Sequence, residues 1–563
     1  MNVMTGSLLS DERTAHRRLS ALQALLVCLA IAACFWSYWS LFPNLTAGSV
    51  GNDALFLLDG ARRIAAGQVP HLDFSLPTGV LPYLTYLLGQ HLFPHFSAYV
   101  SSHLLGFLLL CPILIAGMVQ MPRAMMALAL AVIVSIATLL PFNTSLSDTY
   151  GVVFHASYNR LSTALSLVYF AWLFRAERSS PWINGVIIAY ALLLAFFLKI
   201  VLLGVILGPL AVLAILDRRW RLPALFGVIS ASLALLVLEL AGGYISAYIA
   251  DIGAMSRVNA GAAPYFFASF IFRTFVLQIL VVTLVLWLLY VRWQGSAPRD
   301  RLANIAQPLA MLAAIGALSF AESQSTGGLE FAGALGLLFA PGLIGRSLKG
   351  SRLAIMAATA GLIAGPLAIS AFENSMALLL DRQGKPVPAA WVSRYLPQTL
   401  VPEPMLHKAA GIASLWERDD RTRNILQEAA TDIVDRSALD LYLAQWLTVD
   451  HAMEKMSTEE LGDLGAVATL ANVDLFGLAL RAEPTKGIKI VHDVGRTIQP
   501  LDAEQASAYI AAAETVFEPT CLIDEAPGSE PMAAWFADVL KTEFSAKVLT
   551  PCWTMHRRNS QMG

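Results

Sequence analysis

The sequence predicts a polytopic α-helical membrane protein with a C-terminal α/β domain outside the cytoplasm. Three observations support this fold class. Hydrophobic residues make up 56% of the 563-residue chain and charged residues 14%, against the roughly 25% charge of a soluble domain. Long apolar runs recur from about residue 20 to about residue 371 and then stop. Runs of this kind can satisfy their backbone in lipid only as helices.

About eleven segments are candidate transmembrane helices. The fourth and the tenth are short, and Lys199 alone separates the fifth from the sixth, so the count could differ by one or two. The candidate spans lie near 20–42, 97–119, 124–141, 161–174, 182–198, 200–216, 222–240, 270–291, 303–320, 331–345 and 353–371.

The distribution of Lys and Arg predicts the orientation of the spans. Cytoplasmic loops carry an excess of both residues, and alternate loops of this chain do so throughout, starting with the N-terminus. An odd number of spans then places the tail outside. The Ala/Gly/Leu-rich composition indicates a bacterial inner membrane, with a cytoplasmic N-terminus and a periplasmic tail. The net charge of −2 does not indicate a partner, and no basic run suggests nucleic acid.

The predicted organisation has a membrane domain, 1–371, and a soluble periplasmic domain, 372–563. The segment 43–96, called here the first outer loop, is unusually long. It carries an amphipathic helix at about 53–66. A second half-apolar stretch, 78–89, is too short to span and is expected to lie at the membrane interface as a second juxtamembrane helix.

The tail holds two cysteines, Cys521 and Cys552. Outside the cytoplasm they could form a disulfide that closes a loop of about 30 residues, worth ~3–4 kcal/mol. The alternative is a pair of buried free thiols. No CxxC or His/Cys cluster indicates zinc, so no metal ligand is assigned and a divalent cation is left open as a cofactor.

The first outer loop carries three candidate site residues. Asp53 opens the amphipathic helix, where an acid either caps the helix or serves as a catalytic base beside the membrane. His71 and Asp73 follow near the same interface. They are candidates for substrate binding, and each could equally be an ordinary loop residue.

A second set of candidates is spread over other outer loops. Lys199 is a lone charge in the apolar stretch 191–216, which is costly unless the amine reaches water, an anion or a headgroup. It either snorkels to the interface or binds a lipid-linked phosphate, and Arg160 and Arg273 could join it or anchor span ends. The remaining substrate-binding candidates, which could instead only cap the bundle, are His155, Tyr158, Asn159 and Glu322.

The first outer loop resembles that of the GT-C glycosyltransferases. The resemblance lies in Asp53 at the start of a juxtamembrane helix, Gly67 at its end, and Pro82-Tyr83 in a second interfacial helix. This superfamily uses polyprenyl-phosphate sugars and includes the protein mannosyltransferase and lipid A aminoarabinose transferase types. Phe197-Leu198-Lys199 resembles a lysine-bearing hairpin of some members, and the overall plan is similar. Ala54 departs from the Asp-Glu pair found in other members.

The resemblance implies an inverting glycosyltransferase. A carboxylate, matched by Asp53, would deprotonate an acceptor hydroxyl that attacks the anomeric carbon and expels the lipid phosphate. Lys199 matches the lysine that contacts that phosphate. The implied partners are a polyprenyl-phosphate-linked sugar donor, a glycan, lipid or protein acceptor, and membrane lipids. Transfer would occur on the outer face of the membrane, in cell-envelope polysaccharide or glycolipid assembly.

Three other functions stay open. A flippase or transporter of lipid-linked sugars would need polar groups along a path inside the spans, whereas the polar groups here cluster at the outer edge. An oligosaccharide ligase or polymerase would need a larger outer cavity. A non-catalytic assembly factor would leave the outer polar residues without a common pocket.

Overall fold

The computed structural model describes most of the chain in separate stretches. They are residues 18–41, 44–46, 52–76, 78–95, 97–139, 157–176, 180–259, 263–297, 301–324, 331–341, 343, 358–362, 365, 372, 386–418, 439–471, 473–482, 503–521 and 532–559.

The N-terminal part is built from helices. Their bounds are α1 Ala21–Leu41, α2 Asn52–Ala65, α3 Leu81–Leu92, α4 Ala98–Gln120, α5 Ala124–Leu139, α6 Ser157–Leu173, α7 Pro181–Leu198, α8 Leu202–Leu216, α9 Arg221–Gly242, α10 Tyr244–Asn259, α11 Ala263–Gln294 and α12 Arg301–Ser323. Within the described stretches six helices, α1, α4, α7, α9, α11 and α12, are long and apolar enough to cross a membrane. Two shorter apolar helices, α5 and α8, accompany them.

The helical architecture confirms a polytopic membrane protein, but it does not confirm a count of eleven spans. Nine predicted segments correspond to one helix each, and α2 and α3 form where the juxtamembrane helices were expected. The predicted span 331–345 is broken: its described part holds a 3₁₀ turn, Ala332–Ala334, and the short helix α13, Leu335–Leu338. The predicted span 353–371 lies largely outside the described residues.

Close helix contacts in the bundle depend on small residues. A Cβ on Gly227 of α9 would lie 2.6 Å from the side chain of Ile188 on α7, and one on Gly336 would lie 2.2 Å from the Leu167 carbonyl oxygen on α6. Small residues let helix backbones approach each other, which is how apolar helices gain packing energy in lipid. The short helix α13 is therefore seated directly on α6.

The C-terminal part is a mixed α/β unit, as the sequence predicts. Its four-stranded sheet has the order β4-β5-β7-β6, with β4 and β5 parallel and the other pairs antiparallel. The elements are β2 Pro386–Pro388, α14 Ala390–Tyr395, β3 Thr399–Pro402, α15 Glu403–Trp416, α16 Leu439–Glu454, α17 Thr458–Gly462, β4 Val467–Thr469, α18 Leu475–Leu480, α19 Ala503–Ile510, β5 Thr515–Pro519, a 3₁₀ helix Met532–Phe536, α20 Ala537–Glu543, β6 Phe544–Thr550 and β7 Trp553–Arg558.

Cys521 and Cys552 form a disulfide in this unit, with their Cα atoms 4.8 Å apart. The bond links the end of β5 to the turn that precedes β7. Both cysteines are buried, so the cross-link fixes two neighbouring strands from inside the unit.

A small sheet joins the tail to the first outer loop. Strand β1, Leu45–Thr46, pairs in parallel with β3, and β2 pairs with β3 on the other side. Residues more than 350 positions apart in the sequence thus share one sheet, with Leu45 opposite Thr399. The tail and the first outer loop therefore lie at the same end of the helix bundle.

Buried charges make a second link between α2 and the tail. Asp59 is fully buried and binds Arg62 at 2.8 Å and Arg63 at 3.1 Å. Arg62 also binds Oδ2 of Asp474 in the tail at 2.8 Å and donates to the Ala482 carbonyl oxygen at 3.0 Å. Charges withdrawn from water are stable only when they are paired, so this network fixes α2 against the tail.

We expect Asp474→Asn to destabilise the protein. The change leaves two buried guanidinium groups sharing the single carboxylate of Asp59, and removal of one partner from a buried pair typically costs about 3 kcal/mol. Thermal unfolding in detergent, followed by circular dichroism, measures the effect.

The matched control is Asp463→Asn. Asp463 pairs with Arg557, but its side chain is 78% exposed, so its loss should leave the unfolding temperature nearly unchanged. Equal unfolding temperatures for Asp474→Asn and the wild type would show that the buried pair does not hold the tail in place.

Candidate functional site

The turn between α7 and α8, Lys199–Val201, is called here the lysine turn. The Lys199 amine donates to Oδ1 of Asn159 at 3.2 Å and lies 5.8 Å from the centre of the Tyr158 ring. A cation in this position is attracted to the face of the ring. The structure thus brings Lys199 together with two residues, Tyr158 and Asn159, that the sequence had placed on another predicted loop.

The surroundings of Lys199 adjust the charge of its amine. Burial disfavours the ammonium form and lowers the pKa of Lys199 to about 8, while the Glu322 carboxylate at the end of α12 opposes this shift. Glu322 also accepts a hydrogen bond from the backbone N–H of Phe331. The lysine turn therefore holds a cation that is lost at mildly alkaline pH.

The first outer loop is packed directly on the lysine turn. The Gly79 N–H donates to the Leu198 carbonyl oxygen at 3.3 Å, and a Cβ on Gly79 would lie 2.1 Å from the Phe197 carbonyl oxygen. A Cβ on Gly60 of α2 would lie 2.3 Å from the Tyr83 ring on α3. Glycine at both positions lets α2, α3 and the end of α7 form one packed unit.

Asp53 lies in the first turn of α2, and its side chain is outside the described part of the structure. His155 also lies outside it. Their assignments as base and as substrate-binding residue stay predictions. The next residues of α2, Ala54 and Leu55, are fully buried, so the start of the helix is packed against the protein.

Arg160 is buried and fixes α6 to α4. Its Nη2 donates to the Tyr99 hydroxyl at 2.5 Å and to Nε2 of His103 at 2.9 Å, while Nδ1 of His103 donates to the Tyr99 carbonyl oxygen at 2.8 Å. The hydrogen-bond pattern assigns a neutral His103 with its proton on Nδ1. These contacts give Arg160 a role in helix packing, whereas the sequence suggested a phosphate ligand.

A small cavity lies between α3, α4, α5 and α6. Its lining includes Thr85, Ser102, His103, Thr138 and Tyr158. Tyr158 connects this cavity to Lys199, because its ring forms part of both. His103 was missed by sequence analysis, since a lone histidine within an apolar helix carries no signal of its partners.

Two other predicted residues lie on a helix surface and in a turn. Arg273 is exposed on α11, where a long cationic side chain can anchor a helix end at an interface. Asp73 accepts a hydrogen bond from the Val69 N–H at 2.6 Å and so closes its own turn. A loop role accounts for the Asp73 carboxylate, which the sequence had offered as a substrate ligand.

His71 is buried and belongs to a cluster that the sequence did not predict. Its Nδ1 lies 2.8 Å from Oδ2 of Asp251 on α10, and its ring packs on Tyr248 with the ring centres 4.5 Å apart. Tyr244, Tyr248 and Asp251 are spaced four and three residues apart, which puts them on one face of the helix. This spacing in the sequence could have indicated the cluster, but the helix α10 that carries these residues was not predicted.

A metal ion needs several ligating side chains that converge on one point. Within the described stretches no group of three or more His, Cys, Asp and Glu side chains is placed to hold an ion. No residue is therefore assigned as a metal ligand.

Comparison with solved structures finds "Crystal Structure of ArnT from Cupriavidus metallidurans bound to Undecaprenyl phosphate". The match covers 95% of this chain and 98% of that chain, with a TM-score of 0.43 and 12% identity. No protein-family model matches the chain, and no curated protein does. At this identity and TM-score no residue role is transferred from that protein.

We expect Gly79→Ala to destabilise the contact between the first outer loop and the lysine turn. The new methyl group would meet a backbone oxygen, which cannot rotate away, so the cost should be about 1–3 kcal/mol. The unfolding temperature of the purified protein measures it.

Gly204→Ala is the matched control, because Gly204 lies in α8 near the same turn and a Cβ added there would have no atom within 4 Å. Alanine favours a helix there, so this variant should be at least as stable as the wild type. If both variants unfold at the wild-type temperature, the close approach at Gly79 is not a constraint.

Proposed function

We propose that this chain is an inverting glycosyltransferase that moves a sugar from a polyprenyl-phosphate donor to an acceptor hydroxyl at the outer face of a bacterial inner membrane. The observation that carries the proposal is the environment of Lys199. A cation stands at the junction of two apolar helices, held by Asn159 and Tyr158, and is packed beneath the loop that carries Asp53.

The position of Lys199 suits the phosphate of a lipid donor. Helices α7 and α8 are apolar along their length, so a polyprenyl chain can lie beside them in the hydrocarbon layer. The phosphate at the end of that chain would then reach the helix ends, where the lysine turn lies. Because the leaving group of the reaction is this phosphate anion, a fixed cation beside it lowers the barrier to its departure.

Asp53 is proposed as the base that activates the acceptor. Its carboxylate takes the proton of the acceptor hydroxyl as that oxygen bonds to the anomeric carbon. The bond from the anomeric carbon to the phosphate oxygen breaks, its electron pair leaves with the lipid phosphate, and the configuration inverts. The buried Arg62–Asp474 pair holds α2, and therefore the start of the helix, in place for in-line attack.

The acceptor and the membrane orientation are proposed from the sequence. With the N-terminus in the cytoplasm, the first outer loop, the lysine turn and the tail lie on the periplasmic side. The tail packs against the loop that carries Asp53, which suits a part that selects a glycan, lipid or protein acceptor. The product would then belong to cell-envelope polysaccharide or glycolipid assembly.

Sugar transfer by membranes containing the full-length protein is the first test. Radiolabelled polyprenyl-phosphate sugars are supplied, and product formation is compared between the wild type and Asp53→Asn. We expect the variant to lose roughly a hundredfold or more in rate while it still binds donor, since the amide cannot take the proton.

Asp538→Asn, a change at an exposed acid of the tail, controls for general effects of removing a carboxylate. If the Asp53→Asn variant is fully active, Asp53 only caps the helix and is not the base. Movement of the labelled lipid across the membrane without transfer would favour a flippase, and transfer of whole oligosaccharides would favour a ligase or polymerase.

The pH profile of donor binding tests the role of Lys199. The amine is charged below its pKa of about 8, so binding should fall as the pH rises through that value. Lys199→Arg should keep binding at high pH, because a guanidinium stays charged there. Glu322→Gln should shift the loss of donor binding to lower pH, since it removes the carboxylate that favours the ammonium form of Lys199. An identical profile in all three proteins would exclude Lys199 as the phosphate contact.

A further inference from the structure

Two neighbouring side chains, one in the first outer loop and one on α10, each have a buried polar atom with no hydrogen-bond partner among the described residues. They are Nε2 of His71 and the hydroxyl of Tyr244. His71 is only 1% exposed, and the two ring centres lie 5.6 Å apart. A buried polar group without a hydrogen bond is destabilising, so a pair of such groups indicates a site that a polar ligand or water occupies.

The partner of Nδ1 decides what Nε2 of His71 can do. Asp251 places Oδ2 at 2.8 Å from Nδ1, and its Oδ1 accepts from the Ser75 hydroxyl at 3.1 Å. A carboxylate only accepts, so Nδ1 is the donor to Asp251, and in the neutral imidazole Nε2 then presents a lone pair. This arrangement, in which a carboxylate orients a histidine, makes Nε2 a fixed acceptor for a hydroxyl hydrogen.

The backbone of the first outer loop is strained to hold this imidazole. His71 has a φ of +68°, a left-handed conformation that is uncommon for residues other than glycine. Its N–H donates to the Phe74 carbonyl oxygen at 2.7 Å, and Asp73 closes the same turn from Val69. Strain of this kind persists where the surroundings impose it, which is common at ligand sites.

The same cluster is built on the lysine turn. The Tyr248 ring supports His71, and its hydroxyl donates to the Phe196 carbonyl oxygen at 3.3 Å, three residues before Lys199. The Tyr244 ring lies 6.3 Å from the ring of Phe197. The cluster therefore packs on the last turn of α7, which leads directly into the lysine turn.

We propose that His71, Tyr244 and Asp251 form a hydroxyl subsite for the sugar of the lipid-linked donor. Nε2 of His71 accepts a hydrogen bond from one sugar hydroxyl, and the Tyr244 hydroxyl binds a second sugar oxygen. The inference rests on the proposed function, because it places the donor phosphate at Lys199. The sugar is bonded directly to that phosphate, so its hydroxyls must lie within a few bond lengths of the lysine turn.

Two conservative variants remove the proposed contacts. His71→Asn keeps a donor to Asp251 in the place of Nδ1, and Asn tolerates a positive φ, but the variant lacks Nε2. Tyr244→Phe removes only the hydroxyl. Tyr395→Phe is the matched control, since the Tyr395 hydroxyl is also buried without a partner but lies in the tail.

The measurement is equilibrium binding of two radiolabelled probes to the full-length protein in nanodiscs. One probe is bare polyprenyl phosphate, and the other is a panel of the same lipid carrying single hexoses or pentoses. We expect at least one sugar to raise wild-type affinity above that of the bare lipid. His71→Asn and Tyr244→Phe should each lower the affinity of that sugar form by roughly three- to tenfold and leave bare-lipid binding unchanged.

The outcomes separate this inference from the proposed function. If Lys199→Ala abolishes bare-lipid binding but neither subsite variant changes the sugar-dependent gain, the unpartnered atoms hold water only and the subsite is overturned. The same conclusion follows if no sugar of the panel adds affinity, or if the variants weaken both probes equally. If the bare lipid does not bind, or binds regardless of Lys199, the proposed function itself fails.

Discussion

The close approach of Gly79 to the end of α7 is the constraint on which the site depends. A backbone carbonyl lies where any side chain at this position would begin, so the first outer loop can pack on the lysine turn only through glycine. This contact sets the position of α2 and α3 relative to Lys199. The β1–β3 pairing and the Arg62–Asp474 pair then hold the tail against the same loop.

A charge at the edge of an apolar bundle costs free energy, and this cost explains the partners of the cationic side chains. Arg62 and Arg63 are neutralised by buried carboxylates, and Nη2 of Arg160 donates to Tyr99 and His103. Lys199 lies in a mixed setting, because its amine donates to the neutral amide of Asn159, burial lowers its pKa, and the Glu322 carboxylate favours its charged form. In the proposed function, the phosphate of a lipid donor forms charge-assisted hydrogen bonds with this amine.

Sequence analysis nominated several residues that the structure brings together. Lys199, Tyr158 and Asn159 meet as a group, with Glu322 acting on the amine. Arg160 and Asp73 turned out to have structural partners, and Arg273 is exposed. Residue type and position along the chain show that a charge lies near an interface, but they do not show which neighbour neutralises it.

The sequence by itself determined the membrane class and the two helices of the first outer loop, because apolar length and amphipathic period are local properties. It left the pairing of the two tail cysteines open, and the structure shows their disulfide. Only the tertiary structure decided the contacts of His71 with Asp251, 180 residues away, and of Arg62 with Asp474, 412 residues away. Such pairs arise where separate elements pack together, and periodicity carries no information about which helix faces which. The same reason explains why the unpartnered atoms of His71 and Tyr244 became visible only in the folded chain.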